Sequence, residues 1–275
     1  MKIDPPLECP CAGDRFELVH RYAEPPAGEV RFAFSIASGY QRDILRCDVC
    51  GHFVSRHRMD MSNMYSAAYV DATYGDANGL RRNFDRIIGL APSRSDNAGR
   101  VARVIAFAAQ HMGTTADPPS ILDVGSGLCV FLYRMKEAGW RCTALDPDPR
   151  SATHAREAVG VEAVCGDFLR MEEIGQFDAI SFNKVLEHVQ APVAMLRKAR
   201  RHLSPRGFVY IELPDGEAAR HEGFGREEFF IDHPHVFSAV SFANLVERAG
   251  LRLLVLERVR EPSTKYTLRG FAAPS

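Results

Sequence analysis

Three groups of residues in this chain could do chemistry. The first is Asp123-Val124-Gly125-Ser126-Gly127, which follows the apolar run Ile121-Leu122 and precedes Asp146 by 19 positions counted from Gly127. Glycines at a tight turn let backbone approach a ligand, and the N–H groups opening the next helix face whatever polar or anionic group sits there. A carboxylate at that spacing, closing a second strand, is placed to accept from both hydroxyls of a ribose. The second group is histidine: His188 behind Glu187, and the pair His233-Pro234-His235. Imidazole is the side chain best matched to taking a proton near neutral pH. The third group is cysteine. Cys9 and Cys11 are followed by the knuckle Cys47-Asp48-Val49-Cys50, closed by Gly51. Four thiolates can enclose one zinc ion tetrahedrally and staple a segment too small for a core of its own. Cys9-Pro10-Cys11 has one intervening residue where a zinc ribbon usually has two, so His20 or His52 could stand in for one thiol.

The elements that must position these residues follow from the apolar pattern. Ser120–Val124 reads as a buried strand entering the glycine turn, Trp140–Asp146 as a second strand, and Val161–Asp167 as a third that also ends in an acid. Phe177–Asn183 is a fourth, running directly into Val185-Leu186-Glu187-His188-Val189, and Phe208–Leu213 a fifth. Ser238 is placed to cap a helix ending near Gly250, and Leu251–Val259 with Tyr266–Ala272 reads as a closing antiparallel pair. Strands alternating with helices imply right-handed crossovers and a doubly wound α/β sheet. Upstream, residues 59–115 read as largely helical, with Tyr65, Tyr69 and Tyr74 in a series. Ser95 or Asp96 can cap a helix that carries Val101, Val104, Ile105 and Ala108 on one face. The chain thus divides into a zinc-ribbon-like module (1–58), a helical linker (59–115) and a nucleotide-binding domain (116–275).

On these residues the chain resembles the class I S-adenosylmethionine-dependent methyltransferases, whose first motif is acid-x-Gly-x-Gly-x-Gly. Asp123, Gly125 and Gly127 match it, and Cys129 stands at the third glycine. The resemblance implies a Rossmann-like, mostly parallel sheet of seven strands with an antiparallel last strand, and S-adenosylmethionine as cofactor. It places Asp123, Gly125, Ser126, Gly127, Asp146, Pro147, Asp167, Phe168 and Asn183 around that cofactor. Asp123 would orient the methionine part, Asp146 the ribose and Asp167 the adenine amine, with Phe168 near the ring. The tyrosine series would form a lid. The stretch from His233 to Ser238 is similar to the His-x-His-x-x-Ser of sugar C-methyltransferases that also carry an amino-terminal zinc ribbon. Pro234 replaces their glutamate and Asp232 their tyrosine, so O-methylation weighs as much as C-methylation. His235, His233 and His188 are the expected catalytic residues, and the expected partner is a small acceptor such as a sugar, nucleotide-sugar or other hydroxylated metabolite.

Composition limits the alternatives. A chain of 275 residues with 46% apolar content can bury one large core and a small satellite, and a formal charge of -1 gives no global case for nucleic acid. Arg197-Lys198-Ala199-Arg200-Arg201 reads as a solvated helix face. No apolar run is long enough to span a membrane, and charge and proline interrupt the start before any signal-like stretch forms. A cytoplasmic location is expected, where thiols stay reduced and cysteine pairs suggest metal. An NAD(P)-binding oxidoreductase would share Gly125, Gly127 and Asp146 but has no use for Asp123, Asp167 and the Phe177–Val189 stretch. A non-catalytic zinc-ribbon adaptor on the same scaffold would retain protein partners and form no product. Oligomeric state is left open by the sequence.

Overall fold

The apolar runs around the glycine turn assemble into one sheet. The structure, a computed structural model, describes residues 7–29, 39–57, 77–113 and 117–275. An antiparallel unit comes first: β1 (Phe16–Tyr22), β2 (Arg42–Cys47) and β3 (Phe53–His57). Two helices follow, α1 (Ala77–Ile88) and α2 (Asp96–Met112). Then the sheet begins: β4 (Ser120–Val124), α3 (Val130–Glu137), β5 (Arg141–Asp146), α4 (Pro149–His154), β6 (Glu162–Cys165), β7 (Phe177–Asn183) and α5 (Pro192–Arg201). It closes with β8 (Leu203–Pro214), α6 (Gly216–Ala219), β9 (His235–Val236), α7 (Ala239–Arg248), β10 (Leu251–Arg260) and β11 (Tyr266–Pro274).

The seven strands lie in the order β6-β5-β4-β7-β8-β11-β10. β6, β5, β4, β7 and β8 pair in parallel, and β11 is antiparallel to both β8 and β10. The chain reverses direction across the sheet between β4 and β7. That switch point, at the carboxyl ends of the strands, is where a doubly wound sheet leaves a crevice. β8 shows why a near-continuous apolar run marks a central strand: Phe208, Val209, Tyr210, Ile211 and Leu213 are all buried between helices on both faces. β8 starts earlier than its apolar stretch, at Leu203, and β6 stops at Cys165, two residues short of Asp167.

Of the two candidate caps for α2, Ser95 does the work, its side chain accepting from Ala98 N at 3.3 Å. Val101, Val104, Phe107 and Ala108 turn inward, and Phe107 stacks on Phe271 of β11 with ring centres 4.0 Å apart. Beneath α2 lies a buried ionic chain in which Glu212 of β8 meets Arg100 at 2.6 Å and Arg269 at 3.1 Å, and Arg269 meets Glu261 at 3.1 Å. Burial alone would raise the Glu212 carboxyl. The two guanidiniums outweigh it and hold the group down to about 2.

The small sheet is completed by the large domain. β9, on the long connection after β8, pairs antiparallel with β3 through Phe53↔Val236 and Val54↔His235, giving the order β1-β2-β3-β9. Tyr65, Tyr69 and Tyr74, expected in a lid, lie outside the described residues. Among the described residues, no helix is long and apolar enough to cross a membrane.

Candidate active site

The glycine bend is held by the strand beside it. Gly125 has φ +70° and donates its N–H to the Leu145 carbonyl of β5 at 2.7 Å. A Cβ at this position would stand 2.8 Å from Val185 Cγ2, so both the backbone angle and the neighbour require glycine. Gly127 donates its N–H to Asp146 Oδ2 at 2.8 Å, and Asp148 N donates to Asp146 Oδ1 at 2.9 Å. Asp146, 7% exposed, is thereby clamped at the mouth of the bend, with burial raising its carboxyl. Cys129, in the place of the third glycine, takes a left-handed φ of +59°. That conformation costs an L-residue about 1–2 kcal/mol and is free to glycine, which explains the motif's preference there.

Asp123 closes β4 and is 2% exposed. Its Oδ1 accepts from Ser181 Oγ and from Asn183 Nδ2, each at 2.7 Å, so two β7 side chains support it from the next strand. Burial pushes its carboxyl up to about 7 against the downward pull of those donors. The structure therefore gathers Asp123, Gly125, Gly127, Asp146 and Asn183 at one edge. Ser126 is buried beside them, its Oγ without a hydrogen-bond partner among the described residues. Asp167 stands on the rim, linked through Gly166 N, which donates to the Asp146 carbonyl at 3.0 Å. It is exposed, accepts from Leu169 N at 2.9 Å and lies 3.3 Å from Arg170 Nε. Pro147 is exposed, whereas Phe168 is 1% exposed and packs edge-on against Phe182 in the core.

The three histidines divide into two settings. His188 Nδ1 donates to the Asp232 carbonyl at 2.7 Å and His233 Nδ1 to the Glu228 carbonyl at 2.9 Å, with the two rings 4.8 Å apart. Glu187 beside them is fully buried, and neither carboxylate oxygen has a hydrogen-bond partner among the described residues. His235 sits on β9 with 0% exposure, its Nδ1 2.9 Å from His52 Nε2. Burial pushes this imidazole down to about 4, and the backbone of Gln190 pulls the other way without reaching hydrogen-bond geometry.

The four cysteines converge, with Sγ separations of 3.5 Å for Cys9 and Cys11, 3.4 Å for Cys9 and Cys50, and 3.6 Å for Cys11 and Cys47. A tetrahedral zinc ion with Zn–S bonds of about 2.3 Å spaces its sulfurs by roughly 3.8 Å, so the donor set fits zinc after a small outward relaxation. The single residue between Cys9 and Cys11 suffices because a tight turn, with Ala12 N donating to the Cys9 carbonyl at 2.8 Å, folds the first arm back. Cys50 is held down to about 5, chiefly by its hydrogen bond with Cys9. Neither histidine replaces a thiol: His20 stacks on Phe224 and the His52 ring turns to His235. Ser181 is a site residue that sequence reasoning did not place, and His52 one that it placed only as a spare zinc ligand, because their partners are remote in sequence.

Comparison with known proteins fits this geometry. The family model for a methyltransferase domain matches residues 93–256, from the turn before α2 into β10. The chain belongs to that family. A relative, the cypemycin N-terminal methyltransferase of a Streptomyces species, is 26% identical over 171 residues, covering 59% of this chain and 68% of that protein. The ubiquinone biosynthesis O-methyltransferase of Caulobacter vibrioides is 30% identical over 99 residues, 34% of this chain and only 39% of that protein. Among solved structures, the magnesium protoporphyrin IX methyltransferase of Synechocystis, with S-adenosylhomocysteine bound, shares the fold at a TM-score of 0.57 and 13% identity, covering 78% of this chain and 97% of that one. The 1,6-didemethyltoxoflavin-N1-methyltransferase of Burkholderia thailandensis, bound to 1,6-didemethyltoxoflavin and S-adenosylhomocysteine, has a TM-score of 0.56 and 20% identity, with coverage of 90% and 100%. By family the chain is a methyltransferase, and its fold is that of these two S-adenosylhomocysteine-bound methyltransferases.

Proposed function

We propose that the methyltransferase moves the methyl group of S-adenosylmethionine onto a small hydroxylated metabolite, of the sugar or nucleotide-sugar class, at oxygen or carbon. The observation that carries the reading is Asp146 clamped between two backbone N–H groups at the glycine bend, with Asp123 buried one strand away. Asp146 keeps lone pairs for a ribose diol, Asp123 faces the charged methionine end, and Asp167 serves the adenine amine at the rim. S-adenosylmethionine supplies a methyl carbon that is already electrophilic. The chain's own contribution is to align the acceptor and exclude water. His235 is assigned as the proton acceptor: its Nδ1 is engaged by His52, and its Nε2 has no hydrogen-bond partner among the described residues. His188 and His233, each anchored to a carbonyl, are assigned to orient the acceptor. The names of the proteins it is similar to point to different acceptors and so do not select one; the His233-to-Ser238 stretch supports the sugar class. None of the seven cysteines is in a disulfide, in keeping with a cytoplasmic location, which the proposal includes.

Labelled methyl transfer to a panel of sugars, nucleotide-sugars and phenols tests the acceptor class. Product from the first two groups is expected, and transfer only to phenols or amines contradicts it. With the acceptor found, His235→Ala lowers turnover about 100-fold at unchanged S-adenosylhomocysteine affinity; unchanged turnover clears that residue.

Binding of S-adenosylhomocysteine, which carries the same amino-acid ammonium as S-adenosylmethionine, strengthens as pH rises from about 6 to about 8. The Asp123 carboxyl at about 7 lies above its ordinary value of 3.8, so in the free protein the stability this group contributes falls as pH rises from about 4 to about 7 and is level above that. An ammonium beside it favours the ionised form, and affinity grows by up to about tenfold per pH unit below the group's pKa. Calorimetry across pH checks this, with Asp123→Asn predicted to flatten the dependence; a wild-type profile equally flat removes Asp123 from the methionine end.

A further inference from the structure

A carboxylate taken out of water is costly unless it is paired or ligates a metal. Glu187 is 0% exposed, and neither of its oxygens has a hydrogen-bond partner among the described residues. Lys184, the cation whose field reaches it, gives its Nζ to Thr267 Oγ1 at 2.8 Å instead. Glu187 also stands where chemistry is expected. It follows Asn183 at the end of β7 by four positions, and Val185 between them packs over the glycine bend, 2.8 Å from where a Cβ on Gly125 would lie.

His188 and His233 bring two imidazoles to this carboxylate. One ligand atom from each of the three residues lies within 4.8 Å of the other two, so one point lies within about 2.8 Å of all three, against metal–ligand bonds of about 2.1 Å. Closing the side chains by less than about 1 Å each completes the bonds. The rings are anchored as metal-bound histidines are. His188 Nδ1 lies 2.7 Å from the Asp232 carbonyl and His233 Nδ1 2.9 Å from the Glu228 carbonyl. A carbonyl only accepts, so each Nδ1 carries a proton and a neutral ring keeps its lone pair at Nε2. Metal-ligating histidines make this same hydrogen bond through the nitrogen turned away from the ion. The two segments are tied together by His235 N, which donates to the Glu187 carbonyl at 3.3 Å. Asp232 adds a second negative charge, its Oδ2 3.8 Å from His233 Nε2. The side chains of His188 and His233 are each 16% exposed, which gives an ion a way in from solvent.

We propose that Glu187, His188 and His233 bind a divalent first-row metal ion, such as Mn2+ or Zn2+, and that this ion orients the acceptor by holding one of its oxygens. Two imidazoles and a carboxylate form a mixed nitrogen and oxygen donor set that suits such ions, unlike the all-thiolate set of the cysteine cluster. Three protein ligands leave coordination positions for water or for a hydroxyl of the acceptor. The ion serves as a template and makes or breaks no bond of the transferred methyl. The ion site stands on the cluster alone, whereas its orienting role rests on the reading that a small hydroxylated acceptor is methylated here.

The test uses the full untagged chain, zinc-loaded and saturated with S-adenosylhomocysteine. Metal analysis should count one ion per chain beyond the zinc of the cysteine cluster, either as a second zinc or as Mn2+ added afterwards and read by electron paramagnetic resonance. Glu187→Gln and His233→Ala should each weaken that ion about 10- to 100-fold or more, with the cysteine-bound zinc and S-adenosylhomocysteine affinity unchanged. Water-proton relaxation by the bound Mn2+ should show open positions. A single zinc per chain with no Mn2+ bound at millimolar concentration, or a further ion that survives both substitutions, overturns the proposal. If Glu187→Gln does not fold, the wild-type count and the half-buried His233→Ala still decide. With an acceptor in hand, turnover should follow occupancy of the ion, and the acceptor should lower the water relaxation; turnover indifferent to the ion removes the orienting role. Failure of the acceptor reading is separately visible, because transfer only to phenols or amines sinks the sugar class and leaves the ion count as found.

Discussion

Replacing Asp146 with alanine weakens S-adenosylhomocysteine binding about 100-fold while leaving the fold in place. The carboxylate occupies the end of β5 with one oxygen on Gly127 N and the other on Asp148 N. Each oxygen keeps a second lone pair, and a vicinal diol can fill both. Hydrogen bonds to a charged acceptor contribute about 1.5–3 kcal/mol each, so losing two of them costs about 3 kcal/mol or more, a factor near 100 in affinity. Asp146→Asn keeps one acceptor oxygen and should fall between, about tenfold weaker. The glycine bend retains its link to β5 through Gly125 N and the Leu145 carbonyl, so thermal unfolding should move little. Calorimetry of the three proteins side by side checks the series. An alanine variant that binds as wild type removes the ribose assignment.

Removing the metal, or changing Cys50 to serine, should unfold the amino-terminal strands while the seven-stranded sheet stays protected. The cluster's own core consists of Cys9, Phe16, Leu45, Cys47, Cys50 and Val54, half of which are thiols. So small a core does not hold this end of the strands by apolar burial alone, whereas a structural zinc site contributes on the order of 10 kcal/mol in small domains; their other face, through Tyr22, Ile44 and Phe53, packs on Phe229, Ile231 and Val236. A second attachment works against complete release. Arg42 is buried with Glu29 at 3.0 Å and donates to the Phe229 carbonyl, while Ile231 N donates to Glu29 at 2.7 Å, tying β2 to the connection that carries β9. The largest loss of hydrogen-exchange protection is therefore expected in residues 9–22 and 44–54, with β4, β7 and β8 unchanged. Protection that persists in those segments after chelation would mean the thiols need no metal.

The sheet was legible in the sequence because its strands are short, apolar and buried on both faces, and because each ends in a residue with a reason to be there. Asp123, Gly125 and Asp146 are local signals: an acid, a bend without a Cβ, an acid at the next strand's end. The amino-terminal attachment was not legible. β9 has only two residues, and its pairing with β3 joins positions more than 180 apart. No periodicity reports a contact of that kind. For the same reason His52 read as a spare zinc ligand, since spacing places it beside the knuckle and says nothing of where its ring turns. Phe168 is a further case. An aromatic residue after a strand-end acid suits a stacking role by position, and only packing reveals that its ring fills the space against Phe182. The boundary of β6 differs for a local reason: Gly166 N bonds to the Asp146 carbonyl, and Asp167 turns to accept from Leu169 N, so the ladder ends before the acid.

The most direct measurement is a crystal structure of the full chain grown with S-adenosylhomocysteine. The prediction is an adenosyl group across the carboxyl ends of β4, β5 and β6, its ribose hydroxyls on Asp146 and its amino end toward Asp123. The ligand found elsewhere, or the Asp146 carboxylate still bonded only to Gly127 and Asp148 at saturating ligand, would contradict it.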